Sequence, residues 1–138
     1  MTSSGSQSRP GLLGRIFSAV FQKGSKPSMR QIDSTYFVTG QISVDHVAAL
    51  KEAGFSVVCC LRPDGEGFGQ PAFAEIERAA KAAGLKAYYL PVTPGSMPMQ
   101  HASRLRQILR EEEGKILGYC ASGNRATMLY QLAQQAGS

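Results

Sequence analysis

The chain has 138 residues, of which 43% are hydrophobic and 18% are charged, so the sequence predicts one domain with a packed core and a tail rather than a disordered chain. No apolar run reaches the roughly 18 residues of a membrane-spanning helix. Three cysteines without a CxxC pair exclude both a disulfide-stapled miniprotein and a zinc cage. With no evident secretory signal, the odd cysteine count favours a reducing, cytoplasmic setting. No nucleotide-binding fingerprint occurs, and we expect no metal and no cofactor.

The basic charge is concentrated at the start of the chain. The formal net charge of +5 equals the charge of the basic residues that precede the first acid, Asp33: Arg9, Arg15, Lys23, Lys26 and Arg30. The other ten of the 15 basic residues balance the 10 acidic ones, so the body lacks the basic character of a nucleic-acid-binding domain, and no nucleic acid partner is expected. We therefore divide the chain into a basic, Ser/Gly-rich head (residues 1–28) and a body (residues 29–138).

Residues 11–23 of the head have an amphipathic helical pattern. Six large apolar side chains share one half of a helical wheel: Leu12, Leu13, Ile16, Phe17, Val20 and Phe21. Such a segment, basic and without acidic residues, suits peripheral contact with an anionic membrane surface or docking to a partner. A cleaved targeting segment, a helix packed on its own domain and a frayed tail are the alternatives that the sequence leaves open.

The body begins with a predicted strand, helix and strand. The first strand, residues 36–39, precedes a helix over residues 44–53, for which Ser43 is a favourable N-cap and Gly54 a natural stop. Residues 55–61 form a continuous apolar run, which is typical of a strand buried on both faces.

The alternation continues through the rest of the body. The remaining predicted elements are, in order, a loop, a helix, a strand, a helix, a strand, a loop and a helix: residues 62–70, 71–83, 86–92, 99–113, 115–119, 120–125 and 126–135. This pattern predicts right-handed βαβ units, and hence an α/β fold with a mainly parallel central sheet flanked by helices. Ligands bind such folds beyond the carboxyl ends of the strands, where the two loops, residues 62–70 and 120–125, are expected to lie.

The loop over residues 120–125 has the composition of an anion cradle. A strand ends at Cys120, four residues follow, and Arg125 precedes a helix. The loop amides are expected to point inward at the helix N-terminus, where the dipole favours an anion, and Arg125 offers a planar fork for two oxygens. The same field favours the thiolate form of Cys120, which makes this residue a candidate nucleophile. The predicted anion-binding set is Ala121, Ser122, Gly123, Asn124 and Arg125.

The body as a whole resembles a known family. The motifs that carry the resemblance are Tyr36…Gly40-Gln41-Ile42-Ser43, Ala53-Gly54-Phe55, Leu61-Arg62-Pro63-Asp64-Gly65-Glu66, Gly69-Gln70-Pro71, Ala83-Gly84-Leu85, Leu90-Pro91-Val92 and Cys120-x-Ser122-Gly123-Asn124-Arg125. Across residues 29–136 they are similar to the phosphatase-like domain found alone or fused to β-lactamase-like hydrolases in bacteria, whose members are also described as sulfurtransferases. The resemblance implies a tyrosine/dual-specificity phosphatase-like fold, with Cys120 as the nucleophile of a phosphocysteine mechanism and Arg125 as the phosphate clamp.

Three features depart from dual-specificity phosphatases. Only four residues separate Cys120 from Arg125, one fewer than in those enzymes and the same number as in rhodaneses. Tyr119 stands where the phosphatases usually have a histidine, and the loop over residues 93–96, where they keep the general acid, has no carboxylate. Rhodaneses often carry a basic residue directly after the nucleophile, and Ala121 does not fit that pattern.

Asp64, in the loop over residues 62–70, is the predicted substitute for the missing acid, because this loop lies at the same edge of the sheet. Arg62 would orient Asp64 or add a second anion contact. The structural alternative for Asp64 is a turn, since a Pro-Asp-Gly sequence is favourable turn chemistry. Cys60, near the end of its strand, would act as a resolving thiol if it approached Cys120.

Three functions remain open from the sequence. The leading hypothesis is a cysteine-dependent hydrolase of phosphate monoesters of the phosphotyrosine or aryl phosphate type, whose substrate is a phosphorylated small molecule or protein. The alternative is a rhodanese-like sulfurtransferase that carries a Cys120 persulfide, which the loop length favours. The third is a non-catalytic module that binds anions or phosphoproteins.

Overall fold

The computed structural model describes residues 26–136, which form a five-stranded sheet with helices on both faces. The amphipathic segment, residues 11–23, lies outside the described residues. The strands are β1 (Arg30–Gln31), β2 (Tyr36–Thr39), β3 (Phe55–Cys60), β4 (Lys86–Tyr89) and β5 (Lys115–Tyr119), and the helices are α1 (Val44–Glu52), α2 (Phe73–Ala83), α3 (Met99–Glu111) and α4 (Asn124–Ala136). None of these four helices has the length and hydropathy needed to span a bilayer.

The sheet is parallel except at one edge. Its strand order is β1-β2-β5-β3-β4. β2, β5, β3 and β4 run in the same direction, and β1 pairs with β2 in the antiparallel sense. This arrangement confirms the predicted α/β fold with a mainly parallel sheet. It places the carboxyl ends of the four parallel strands along the same edge of the sheet, perpendicular to the strands.

Helices cover the sheet on both faces, as alternation along β3 shows. Val57 and Cys59 join the core cluster that holds the buried residues of α3 and α4. Val58 and Cys60 join the second cluster, with α1 and α2. All four side chains are at most 2% exposed, so the prediction that this strand is buried on both faces is confirmed.

Several elements differ from the sequence prediction, although the bounds of α1, β3 and α4 do so by only one or two residues. The sequence does not predict β1, a two-residue strand that depends on its pairing with β2. β4 ends at Tyr89, before the predicted end at Val92, although the Leu90 and Val92 amides still donate to the Cys60 and Leu61 carbonyls at 2.8 Å. α2 begins at Phe73 rather than at Pro71, and α3 ends two residues early, at Glu111.

The early end of α3 is accompanied by contacts between Glu112 and the sheet. Glu112 turns toward β4, where its carboxylate accepts hydrogen bonds from Lys86 at 3.1 Å and from the Tyr88 hydroxyl at 2.6 Å. These contacts lower the pKa of Glu112, with the Tyr88 hydrogen bond as the largest cause. The residue following the helix is therefore a tertiary contact with the sheet rather than a continuation of the helix.

Candidate active site

The loop between β5 and α4 is shaped by two glycines. Gly123 has a φ of +95°, a conformation that favours glycine and lets the chain turn from the strand into the helix. A Cβ atom on Gly40, at the end of β2, would lie 2.8 Å from the carbonyl oxygen of Ala121. The absence of a side chain at Gly40 therefore lets the chain after β2 lie close to the backbone of the loop. A hydrogen bond from the Cys120 amide to the Thr39 carbonyl, at 3.3 Å, holds the loop to β2.

Cys120 occupies the start of this loop with its sulfur turned into it. The residue has no exposed surface, and its Sγ accepts a hydrogen bond from the Gly123 amide at 3.0 Å. Ser122, a member of the predicted anion-binding set, accepts a hydrogen bond from the Asn124 amide at 3.3 Å through its hydroxyl. Of the loop amides in the described residues, that of Gly123 thus donates to the sulfur and that of Asn124 to Ser122.

Arg125, in the first turn of α4, is held in a fixed orientation. Its Nη1 and Nη2 atoms each donate to one oxygen of Glu66 at 2.7 Å, and Nη1 also donates to the Val92 carbonyl at 2.8 Å. Glu66 raises the pKa of Arg125 above its ordinary value, burial opposes the shift, and Cys120 adds to it. Glu66 and Val92 therefore hold the guanidinium in place at the start of α4.

Glu66 is the site residue that the sequence did not identify. Its carboxylate also accepts from Arg62 Nε at 3.0 Å, so it lies between two guanidinium groups. The hydrogen bond from Arg125 is the largest cause that lowers the pKa of Glu66 to about 2, with Arg62 contributing further against the opposing effect of burial. The only sequence indication was an acid in a loop at the same sheet edge as Arg125, and the separation of 59 residues hid the pairing.

Arg62 contacts the pair of Glu66 and Arg125 through Glu66. Besides binding Glu66, it donates from Nη1 to the amide oxygen of Gln41 at 3.1 Å. The expected contact between Arg62 and Asp64 is absent from the hydrogen bonds of the described residues. Arg62 thus braces the carboxylate that holds Arg125.

Asp64 faces α2 in this structure. Its Oδ1 accepts a hydrogen bond from the Phe73 amide, the first of α2, at 2.8 Å, and its own amide donates to the Tyr89 hydroxyl at 2.9 Å. A carboxylate in this position satisfies a free amide at a helix N-terminus and stabilises the start of the helix. Asp64 and Gly65 lie in a turn, as the structural alternative expected, and the contact with α2 is an addition that the sequence did not predict.

The expectation that Cys60 approaches Cys120 is wrong. Cys60 lies in the core cluster on the α1 and α2 face of the sheet, whereas Cys120 lies in the cluster on the opposite face. In the register of the sheet Cys60 pairs with Tyr119, so the next residue, Cys120, points to the other side. Cys59 does share the face of Cys120, but burial raises its pKa to about 12, as expected for an inert core thiol. All three cysteines are free.

Comparison with known proteins identifies the family. A family model described as the phosphatase-like domain of beta-lactamase hydrolase-like proteins matches residues 28–137. The chain belongs to this family. It is 32% identical over 103 residues to the beta-lactamase hydrolase-like protein of Xylella fastidiosa, an alignment that covers 75% of this chain and 24% of that protein. The chain therefore spans about a quarter of the length of the curated relatives it matches.

Solved structures agree with the family. A candidate phosphatase from Neisseria meningitidis has a TM-score of 0.67 and 25% identity, covering 79% of this chain and 88% of that one. A variant of TpbA from P. aeruginosa in complex with phosphotyrosine has a TM-score of 0.54 and 16% identity, covering 81% and 72%; this likeness concerns the fold. The chain is thus a phosphatase-like domain with a tyrosine phosphatase-like α/β fold.

Proposed function

We propose that this phosphatase-like domain hydrolyses phosphate monoesters through Cys120. The observation that carries the proposal is the geometry of the loop between β5 and α4: the Cys120 sulfur accepts from the Gly123 amide at 3.0 Å, and Arg125, at the other end of the loop, is fixed by Glu66 and Val92. We propose the Cys120 thiolate as the reacting species, because the thiolate is the nucleophilic form of cysteine.

The proposed reaction has two steps. In the first, the Cys120 thiolate attacks phosphorus, an S–P bond forms, and the P–O bond to the leaving group breaks with its electron pair on oxygen. In the second, water attacks phosphorus, the S–P bond breaks, and phosphate leaves while the thiolate is restored. The loop amides and Arg125 would stabilise the charge on the transferring oxygens in both steps.

The limited ability of Glu66 and Asp64 to donate a proton favours substrates with good leaving groups. Glu66, with a pKa of about 2, is ionised at neutral pH and has no proton to donate. Asp64 remains the proposed proton donor; the Phe73 amide occupies its Oδ1, so Oδ2 would be the oxygen that carries the proton. Phenols are much stronger acids than aliphatic alcohols. A phenolate therefore leaves with less help from a proton donor than an alkoxide needs. We therefore propose phosphotyrosine or other aryl phosphates, on a small molecule or a protein, as the substrate class.

Sulfur transfer is the second candidate, supported by the four-residue spacing between Cys120 and Arg125. Here the thiolate would attack the sulfane sulfur of a donor such as thiosulfate, sulfite would leave as the S–S bond breaks, and an acceptor such as cyanide would take the sulfur from the persulfide. The third candidate is a module that binds anions in the cradle without turnover.

One set of assays separates the three. The full chain is tested for aryl phosphate hydrolysis, for thiocyanate release from thiosulfate and cyanide, and for thermal stabilisation by inorganic phosphate, each with Cys120→Ser and with Cys60→Ser as a matched thiol control. Hydrolysis that disappears in Cys120→Ser and persists in Cys60→Ser supports the proposal. Thiocyanate release with the same variant pattern assigns sulfur transfer, and phosphate stabilisation without either turnover assigns the binding module.

The membrane contact of residues 11–23 is a separate proposal, which rests on the amphipathic pattern and the absence of acidic residues. A chain lacking residues 1–25 retains every residue that the structure describes. We expect the full chain, but not the shortened one, to co-sediment with anionic vesicles. Equal co-sedimentation of the two chains contradicts the proposal.

A further inference from the structure

The exposed large apolar side chains of the described residues all lie at the edge of the sheet that carries the cradle. They are Val44, Phe68, Tyr89, Met97 and Met99. Each belongs to a loop that follows a parallel strand, to the end of such a strand, or to the first residue of the helix that comes next. Within residues 26–136 none occurs at the opposite edge, so the distribution is tied to the site rather than scattered over the surface.

Phe68 is the most exposed of the five. Its side chain is fully exposed, at 110% of the reference area, and it lies only two residues from Glu66, which binds Arg125. The loop around it is braced: the Gly67 amide donates to the Gln70 side chain at 2.9 Å, and Gln70 donates to the Pro63 carbonyl at 2.9 Å. A phenyl ring held in solvent contributes nothing to the core and forgoes about 1.5–3 kcal/mol of burial energy.

A second loop carries exposed apolar side chains beside the same arginine. Val92, whose carbonyl accepts from Arg125, leads directly into the loop over residues 93–98. Met97 in this loop is 70% exposed, and Met99 immediately after it is 47% exposed. Methionine side chains are flexible and make favourable contacts with aromatic rings.

We propose that Phe68, Met97 and Met99 form the binding surface for the apolar, preferably aromatic, body of a ligand whose anionic group occupies the cradle at residues 120–125. This inference rests on the proposed function and specifies its substrate class. The loops that carry the surface are attached to Arg125 from two sides, through Glu66 and Val92, so both loops are anchored beside the proposed anion site. Residues 67–70 and 93–98 contain no charged side chain, which suits an uncharged aryl group better than a charged peptide segment.

The test compares two phosphonates, which mimic the substrate and cannot be hydrolysed. Binding of benzylphosphonate and of methylphosphonate to the full chain is measured by calorimetry, for the wild type, Phe68→Ala and Val44→Ala. Val44→Ala is the matched control, because Val44 is exposed at the same sheet edge but belongs to neither loop attached to Arg125. The Phe68 ring contacts nothing in the core, so its removal should leave the fold intact.

We expect Phe68→Ala to weaken benzylphosphonate binding by about two- to ten-fold, the range of one aromatic contact, and to change methylphosphonate binding by less than about two-fold. Val44→Ala should change neither. An equal loss of affinity for both ligands, or no loss for either, overturns the inference. The proposed function is then still tested separately by the Cys120→Ser assay. If neither phosphonate binds the wild type, both proposals fall. Self-association that is lost in Phe68→Ala, with unchanged ligand binding, would assign the ring to contact between copies and also overturn the inference.

Discussion

The substitution Glu66→Gln tests how Arg125 is positioned. Glutamine keeps the shape of the side chain but lacks the charge. Its NH₂ group is a hydrogen-bond donor, and it would face a guanidinium N–H, which is also a donor. Two hydrogen bonds of 2.7 Å to Arg125 and one of 3.0 Å to Arg62 are weakened. Hydrogen bonds to charged groups are worth about 1.5–3 kcal/mol each, and the side chains of Glu66 and Arg125 are 23% and 15% exposed, so solvent screens part of that energy.

A net loss of about 1–2 kcal/mol corresponds to a decrease of about 5- to 30-fold in kcat/KM, because Arg125 stabilises the transferring group only when its orientation is fixed. The assay is steady-state hydrolysis of an aryl phosphate. The matched control is Glu77→Gln, which removes the same charge from a surface pair with Lys81 at 4.0 Å and should change kcat/KM by less than about two-fold. A folded Glu66→Gln variant with the kcat/KM of the wild type would refute the positioning role.

Three further predictions concern the same loop and its neighbours. The pKa of Glu66 is lowered to about 2 from an ordinary 4.5. The charged Glu66 therefore stabilises the fold fully above pH 4.5, and this stabilisation is lost as the pH falls from 4.5 to about 2. Denaturant unfolding should show that the difference in stability between wild type and Glu66→Gln shrinks over the same pH range. Gly40→Ala should destabilise the fold by about 1–3 kcal/mol and weaken phosphate binding, since the new Cβ would lie 2.8 Å from the Ala121 oxygen; an unchanged melting temperature and phosphate affinity would contradict this. Asp64→Asn keeps an oxygen acceptor for the Phe73 amide and should preserve stability and phosphate binding while lowering turnover sharply, and unchanged turnover removes Asp64 from the mechanism.

The sequence predicts most of the fold because its local patterns agree with the tertiary structure. The apolar run that becomes β3 is bounded by Gly54, and the bounds of β5 match the prediction at both ends. The course of the loop between β5 and α4 was also predictable, since a strand ending before a cysteine, a glycine in the turn and an arginine in the next helix are local features. β1 was not, because two residues have no periodicity of their own and form a strand only against β2.

The contacts that depend on the fold could not be predicted from local patterns. Glu66 and Arg125 meet across 59 residues of sequence, and only the packing of the two loops at one sheet edge brings them together. Asp64 lies in a turn-like sequence, but its function as a cap depends on where α2 begins. The error on Cys60 could have been avoided: side chains alternate along a strand, and a residue paired with Tyr119 cannot share the face of Cys120.

The most direct test of the account is to trap the covalent intermediate. The wild-type chain is mixed with an aryl phosphate, denatured within the first turnover, digested, and its peptides are analysed by mass spectrometry. The account predicts a phosphoryl group on the peptide that contains Cys120, appearing before steady state and absent from Cys120→Ser. Hydrolysis that proceeds without phosphorylation of this peptide, and that continues in Cys120→Ser, would contradict the account.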